Sequence, residues 1–525
     1  MAEKLRGRGA AAVPPQAAKD LGGSVAPLLA LALAAAFAAI LLGAIDFPLG
    51  THADEGSKVR GILTYENNYA HPVLMLELVH AANAIAGVAD HQSVAELGRA
   101  IAVLAGAASI FVAFLLAREA LPAPAALAAA AAAVTPLVAM HARYLKEDIF
   151  VLLFILLSLL ALIRTLKLPT RAHIVLLGLA VGLAAAAKYV AIVLLPFAMA
   201  VLLLGLSGLD RRARLKLASQ VALVVLAAFA LIHAEVLWEF PRFASSVYGN
   251  VRHAEAGDSV RAPLMLTYGL FHLRQSLLPG LGAPLTILGI LGFAAPFLAP
   301  PARRQPLLVI AAFAALWLVA HELSPLKPYP NFHRYMVPVA PLLVILGTAV
   351  IYELARRRFP AWSGVVAALV ILAAAAPALY ASLRIVGPPR EDLRRLVPPV
   401  VLKDTPDAGF DHYTRFGGRG GQQAAHGRPP PEPTALLVTS SLVYDRYVGL
   451  GAADMQPHET RGRANYFAQP YLEVSNGRPA FAFFNPVFRI VALDGDAEHL
   501  QRLAAKLRRQ YPNLSVTLLN TEAER

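Results

Sequence analysis

The chain contains no cysteine, which excludes a disulfide framework, a thiolate zinc site and a thiol nucleophile, and leaves the redox compartment unread. Charge is scarce as well. Only 15% of the 525 residues are Asp, Glu, Lys or Arg, whereas 57% are hydrophobic and the mean hydropathy is +0.56. A soluble globule of this composition would have almost nothing polar to show water, so the solvent is a bilayer. No Gly-rich phosphate loop of the Walker type occurs, so nothing points to a nucleotide site of that kind. No internal repeat of fixed period is visible, and the first apolar run lacks a small-residue cleavage site, so it reads as a retained helix rather than a signal peptide.

What is present is a succession of apolar runs, at 21–43, 97–117, 122–140, 149–166, 172–187, 189–208, 217–238, 281–299, 306–322, 336–353 and 363–386. They amount to about eleven candidate spans of a hydrocarbon core ~30 Å thick. The net charge of +13 comes from basic residues at the ends of these runs, not along one amphipathic face, so it reads as topology and not as nucleic-acid binding. Lys4, Arg6, Arg8 and Lys19 of the 1–20 arm, then Arg164/Lys167/Arg171, Arg211/Arg212/Arg214/Lys216, Arg303/Arg304 and Arg356/Arg357/Arg358 fall on alternate connections. The positive-inside rule puts that side, with the N-terminus, in the cytoplasm. Residues 44–96, 141–148, the 187–189 corner, 239–280, 323–335 and everything after 387 are then expected on the outer face.

Composition changes sharply after the last run. Residues 388–434 are rich in Pro, Gly and charge and read as an extended linker. A small α/β domain is expected over 435–525, with strands at 435–439, 481–493 and 514–519 and a helix at 497–510 whose outer face is basic.

Polar groups in the expected outer loops are the candidates for chemistry. Asp54-Glu55 follows the first run, with Lys58, Arg60 and His71-Pro72 behind it; a carboxylate there either takes a proton from an attacking hydroxyl or simply sits at a helix N-terminus. His141 to Asp148 packs five ionisable side chains and Tyr144 into one short connection. Arg143 and Lys146 there read as cations at a cavity or as headgroup anchors, and Asp148 as a helix cap or a cavity acid. Lys188-Tyr189 interrupts a long apolar stretch, and Lys188 either snorkels or meets a carrier phosphate. Arg334 lies in a Pro-stiffened loop with Lys327, His333 and Tyr335, suited to forking onto a phosphate or to anchoring a helix. The long loop 239–280, with Arg242, Arg252, His253, Glu255, Asp258 and Arg261, reads as a lid or as a surface cover.

Taken in order, Asp54-Glu55, His71-Pro72, Arg143-Tyr144 with Asp148, Gly178-Leu179-Ala180-Val181-Gly182-Leu183 leading to Lys188-Tyr189, and Arg334-Tyr335 with Pro338 and Pro341 resemble the dolichyl-phosphate-mannose-protein mannosyltransferase superfamily. More closely, the pattern is similar to its bacterial members, glycosyltransferase family 39, which include the aminoarabinose transferases of lipid A. The likeness covers roughly residues 20–386. It implies a GT-C fold, here an all-α polytopic membrane protein with about eleven transmembrane helices and a small C-terminal α/β domain outside. It also implies an inverting transfer of sugar from a polyprenyl phosphate to a glycan, lipid or protein acceptor, in what is expected to be a bacterial inner membrane.

Carried across by position, the resemblance makes Asp54 the catalytic base with Glu55 as its acidic neighbour, Asp148 the second-loop acid, and Arg143, Lys188 and Arg334 the phosphate cations. It departs from the lipid A enzymes where Ala70 and His71, not an acid and a lysine, precede Pro72. The aminoarabinose activity is therefore not carried over, His71 is expected to donate to the phosphate, and a divalent metal ion is left open as a cofactor. Three alternatives stand beside this reading: a transporter or flippase of lipid-linked substrates, a non-catalytic membrane scaffold presenting the C-terminal domain, and an oligosaccharide transferase or ligase using a pyrophosphate-linked donor.

Overall fold

The computed structural model describes residues 21–49, 51–52, 54–67, 69–256, 270–324, 331–386, 393–411, 422–424, 435–441, 470–478, 481 and 485–519. The 1–20 arm with its basic residues, Asp258 and Arg261 of the long loop, and Lys327 lie outside these. The chain forms a bundle of apolar helices followed by a small mixed sheet.

The bundle opens with α1 (Leu21–Leu42), a Leu/Ala helix. Two short helices, α2 (Glu55–Thr64) and α3 (Leu74–Ala86), follow in the first loop. The second long helix, α4 (His91–Arg118), starts where Asp90 accepts a bond from the Ser93 amide. The third apolar run is broken into α5 (Ala123–Ala132) and α6 (Pro136–His141), because Thr135 caps a new helix with Pro136 as its first residue. Then come α7 (Asp148–Lys167), α8 (Arg171–Ala187), α9 (Leu194–Gly205) after a 3-10 turn, α10 (Arg211–Ile232) and α11 (Val236–Ala256), kinked at Glu239 next to Pro241. A π-helical turn, Leu273–Leu277, leads through α12 (Leu278–Leu281), α13 (Ala283–Leu291) and α14 (Ala295–Leu298). The bundle closes with α15 (Pro301–Leu323), α16 (Ala340–Arg358) and α17 (Ser363–Ile385).

Every apolar run read from the sequence is helical, but not every one is a single long helix. Among the described residues six helices are long and apolar enough to cross a membrane, or seven if Leu273–Leu281 and Ala283–Leu298, bent by 113°, form one broken span. The others are shortened by the Thr135 and Lys188 breaks or, in α16, carry Glu353 and Arg356 to Arg358 within their length. The bundle turns large apolar side chains outward, such as Leu204, Leu231 and Phe297, which only lipid accommodates at such density. The chain is a multi-pass membrane protein.

Small residues set the closest helix contacts. Gly178 and Gly182 of α8 face α10, where an added Cβ would come within 2.5 Å of Val224 Cβ and 2.7 Å of Ala228 Cβ. Gly292, between α13 and α14, meets the backbone of α16: a Cβ there would lie 2.4 Å from the Leu346 carbonyl carbon. Backbones approach this closely in lipid because dispersion, not a hydrophobic effect, drives the contact.

The C-terminal sheet has the order β2-β1-β3-β5-β4-β6. Strands β1 (Gly409–Asp411), β2 (Gln422–Ala424) and β3 (Leu436–Ser440) run parallel; β4 (Tyr471–Ser475), β5 (Phe488–Ala492) and β6 (Ser515–Leu519) complete it in antiparallel register. Helices α18 (Leu393–Asp404) and α19 (Ala497–Gln510) share its apolar core. The segment expected as an extended linker, 388–434, therefore contributes a helix and two strands. Leu393, Val397, Val400 and Val401 give α18 one buried stripe, and that stripe outweighs Pro398 and Pro399. The sheet domain touches the bundle through Arg394 to the Thr51 carbonyl at 3.3 Å, Asn485 to the Ile385 carbonyl at 3.3 Å and Phe481 against His333.

Replacing Gly292 with valine is expected to destabilise the protein by about 1–3 kcal/mol, because the rigid α16 backbone cannot yield. Thermal unfolding in detergent should show a lowered midpoint, while Gly249→Ala, with open space around it, should leave the midpoint within error or raise it slightly.

Candidate active site

The first loop is held by a residue from deep in the next helix. Arg99 of α4 is fully buried and donates from Nε and Nη2 to the two oxygens of Glu55 at 2.9 and 2.6 Å. Its remaining donors reach the carbonyls of Ile45 at 2.9 Å, Pro48 at 3.2 Å and Phe47, and its guanidinium stacks 3.6 Å over the Phe47 ring. Glu55 also accepts from the Leu145 amide at 3.2 Å, which ties the first loop to the second. With Glu55 anchored inward as the first residue of α2, Asp54 at the cap position is turned the other way, and its side chain is 34% exposed.

The second loop, between α6 and α7, is buried along its whole length. Arg143 lies there against the end of α1, donating from Nε and Nη2 to the Ala44 carbonyl at 3.0 and 2.5 Å. Lys146 instead crosses to the first loop and donates to Asp54 Oδ2 at 2.5 Å, with Glu147 Oε2 3.2 Å away. Glu147 accepts from Lys58 through Oε1, and His71 Nδ1 stands 3.7 Å from the same oxygen. Asp148 takes Lys188 at 2.6 Å; Lys188 in turn lies 4.5 Å over the Tyr335 ring. Arg334 Nη1 is 3.7 Å from Asp54 Oδ2, and His52 Nδ1 is 3.9 Å from it.

These contacts assemble one polar cluster from four separate parts of the chain. Its fixed charges are Lys58, Lys146, Lys188 and Arg334 against Asp54, Glu147 and Asp148, four minus three, so the cluster is positive by one. Exposure divides it into a floor and a rim. Lys58, Lys146, Glu147 and Asp148 are buried, whereas Asp54, His71, Lys188 and, to a smaller degree, Arg334 reach the surface.

Burial raises the pKa of Asp54, but Lys146, His52 and Arg334 outweigh it and hold the carboxyl well below the usual carboxylate range. Glu147 follows the same logic, its desolvation overcome by Lys146, Lys58 and His71. Arg334 loses solvation too, yet Asp148 and Asp54 keep its charge firmly in place. For His71 the Glu147 carboxylate favours a proton, but desolvation with Lys58 and Lys146 wins and takes its pKa down to about 3. Desolvation lowers His52 well below its ordinary value. The cluster thus favours the charged forms of Lys146, Arg334 and the carboxylates and the neutral form of the imidazoles, while burial pulls the Lys58 ammonium below its ordinary pKa against the Glu147 carboxylate.

Of the residues singled out in the sequence, Asp54, His71, Asp148, Lys188 and Arg334 come together. Glu55 and Arg143 do not join them: both are committed to pinning the first loop. Lys146, Glu147, Lys58 and His52 are the members that sequence reasoning left out or took as anchors. Their signal was the density of ionisable residues in 141–148 and the two charges one helical turn apart at Asp54 and Lys58. The described part of the long loop reaches the rim through α11, where Asn250 donates to the Ala70 carbonyl at 2.6 Å; just before α11, Glu235 accepts from Tyr69 at 3.4 Å. Among the described residues no three His, Asp or Glu side chains converge as a metal-holding group. Each cluster acid is already paired with a lysine, so these residues do not fit a divalent ion.

Residues 70–238 match the family model described as dolichyl-phosphate-mannose-protein mannosyltransferase. The crystal structure of ArnT from Cupriavidus metallidurans bound to undecaprenyl phosphate superposes with a TM-score of 0.51 at 16% identity, over 88% of this chain and 97% of that one. The archaeal oligosaccharyltransferase AglB from Archaeoglobus fulgidus, in complex with an inhibitory peptide and a dolichol-phosphate, gives 0.52 at 13% identity over 95% and 74%. The chain has the GT-C fold. The resemblance read from its motifs holds. No curated protein matches the chain.

Removing one partner of the Arg99–Glu55 pair strands a buried charge. Arg99→Met is therefore expected to cost about 3–5 kcal/mol of stability, and the Arg99→Met/Glu55→Gln double variant should recover a measurable part of that loss. Equal unfolding midpoints for the single and double variants would show that the pair is not coupled.

Proposed function

We propose that the protein is an inverting glycosyltransferase that moves a sugar from a polyprenyl phosphate to an acceptor outside the cytoplasm, with Asp54 as the base. One observation carries the reading: a partly exposed carboxylate shares a rim with two largely buried cations, Lys188 and Arg334, at the ends of helices that face lipid. A lipid-linked phosphate reaches such a rim with its chain still in the membrane.

In the proposed reaction Arg334 and Lys188 hold the donor phosphate and His71 donates to one of its oxygens. The acceptor hydroxyl attacks the anomeric carbon from the face opposite the phosphate. As the new C–O bond forms, the bond from that carbon to the phosphate oxygen breaks, the electron pair stays on the phosphate, and the hydroxyl proton passes to Asp54. The leaving phosphate gains negative charge during this step, so fixed cations favour the transition state over the ground state. Lys146, Lys58 and Glu147 hold the floor, Asp148 orients Lys188, and Glu55 and Arg143 act by positioning rather than by touching substrate.

The charge of the cluster favours a monophosphate carrier. A sugar phosphodiester brings one negative charge, which the single excess positive charge balances, whereas a pyrophosphate-linked donor brings one more than the cluster meets. A secondary transporter would place ionisable groups near the bilayer midplane on broken helices; these sit at helix ends. The proposed orientation, in a bacterial inner membrane, puts the cluster and the sheet domain on the outer face and the basic connections inside.

Asp54→Asn is expected to slow sugar transfer from polyprenyl-phosphate donors by about 10²–10⁴-fold with the unfolding midpoint unchanged; an unaltered rate would remove Asp54 from the mechanism. Because Asp54 and His71 titrate below the neutral range, kcat/KM should be flat from about pH 8 down to about pH 5, with any acid limb lower. The absence of native cysteine permits a direct test of orientation. Thr64→Cys should react with a membrane-impermeant maleimide added outside intact cells, and labelling only after lysis would place the cluster in the wrong compartment.

A further inference from the structure

In the resting protein the cations of the cluster are already engaged by carboxylates. Lys188 is held by Asp148 at 2.6 Å, Lys58 by Glu147, and Lys146 by Asp54 at 2.5 Å. An arriving phosphate must therefore displace a carboxylate, and the pairs differ in how readily they part. Asp148 and Glu147 are buried, so separating either from its lysine leaves a charge stranded in low dielectric. Asp54 differs. It is partly exposed, and its contact with Arg334, at 3.7 Å, is longer than a hydrogen bond.

We propose that the donor phosphate takes Arg334 away from Asp54, so that this carboxylate becomes an effective base only once the donor is bound. The groups facing Asp54 are Lys146 of the second loop, Arg334 of the 3-10 segment before α16 and His52 of the first loop; Lys58 of α2 and His71 of the first loop act at longer range. With Arg334 turned to phosphate, Asp54 keeps Lys146 but faces an added anion in place of its second counter-ion, and its affinity for a proton rises. Base strength then appears in the complex that needs it, and the donor precedes the acceptor in the productive order.

This inference rests on the donor reading above, and the experiment separates the two. The probe is the methyl ester of a polyprenyl phosphate, a diester that stays singly charged across the neutral range and has no sugar to lose. Asp54 competes with it for Arg334, so Asp54→Asn is expected to bind the ester about tenfold more tightly than wild type. Calorimetry at about pH 6 in two buffers of different ionisation heat should show proton uptake on binding to wild type and none to Asp54→Asn. The acid limb of kcat, which reports the bound complex, should lie at higher pH than that of kcat/KM. The last two wild-type measurements stand even if the variant fails to fold. Equal or weaker binding by a folded Asp54→Asn, or wild-type binding without proton uptake, would overturn the exchange and leave the donor reading intact. Failure of wild type to bind either the ester or free polyprenyl phosphate would overturn both.

Discussion

The buried Arg99–Glu55 pair is the constraint on which the rest of the site depends. One guanidinium from α4 meets a carboxylate at the start of α2, three carbonyls of the preceding turn and the face of Phe47. With five donors satisfied and the ring stacked, the arginine loses little by being desolvated. The carboxylate it grips fixes the rotation of α2 about its own axis. Neighbouring residues at a helix start point in different directions, so holding Glu55 inside obliges Asp54 to face out.

The polar cluster then closes across the gap between two loops. Lys146 from the second reaches Asp54 in the first, while Lys58 from the first reaches Glu147 in the second, so each loop supplies the counter-ion the other needs. Removing charges from water is costly, and such a lattice persists because every buried member is paired. A fold that needed only stability would fill this space with apolar residues, as the bundle does elsewhere. That it keeps seven charged side chains here, at the ends of lipid-facing helices, is what gives the proposed chemistry its location.

Much of the architecture was legible in the sequence. Apolar runs locate the helices because a membrane-spanning segment has few other ways to satisfy its backbone, and the helix at Ala497–Gln510 was readable from its periodicity. The breaks inside runs were harder: Thr135-Pro136 splits a span whose residues on both sides stay apolar. In the tail, Pro398-Pro399 concealed the amphipathic stripe of α18. Within the site, Asp54, Asp148, Lys188, Arg334 and His71 could be picked out by type and position. Which of two adjacent acids faces the rim could not, because Arg99, forty-four positions along the chain from Glu55, decides it. Arg143 was indistinguishable from Lys146 for the same reason, since one finds a carbonyl of α1 and the other a carboxylate of the first loop.

The contact between Arg394 and the Thr51 carbonyl joins positions 343 residues apart. During synthesis the helices from α1 to α17 leave the ribosome before Arg394 does, so the loop that carries Asp54 waits for most of the chain to be made before this brace is in place. Assembly of the polar corner thus follows synthesis of the bundle: a nascent chain interrupted before Arg394 has its membrane helices but lacks the clasp on the loop.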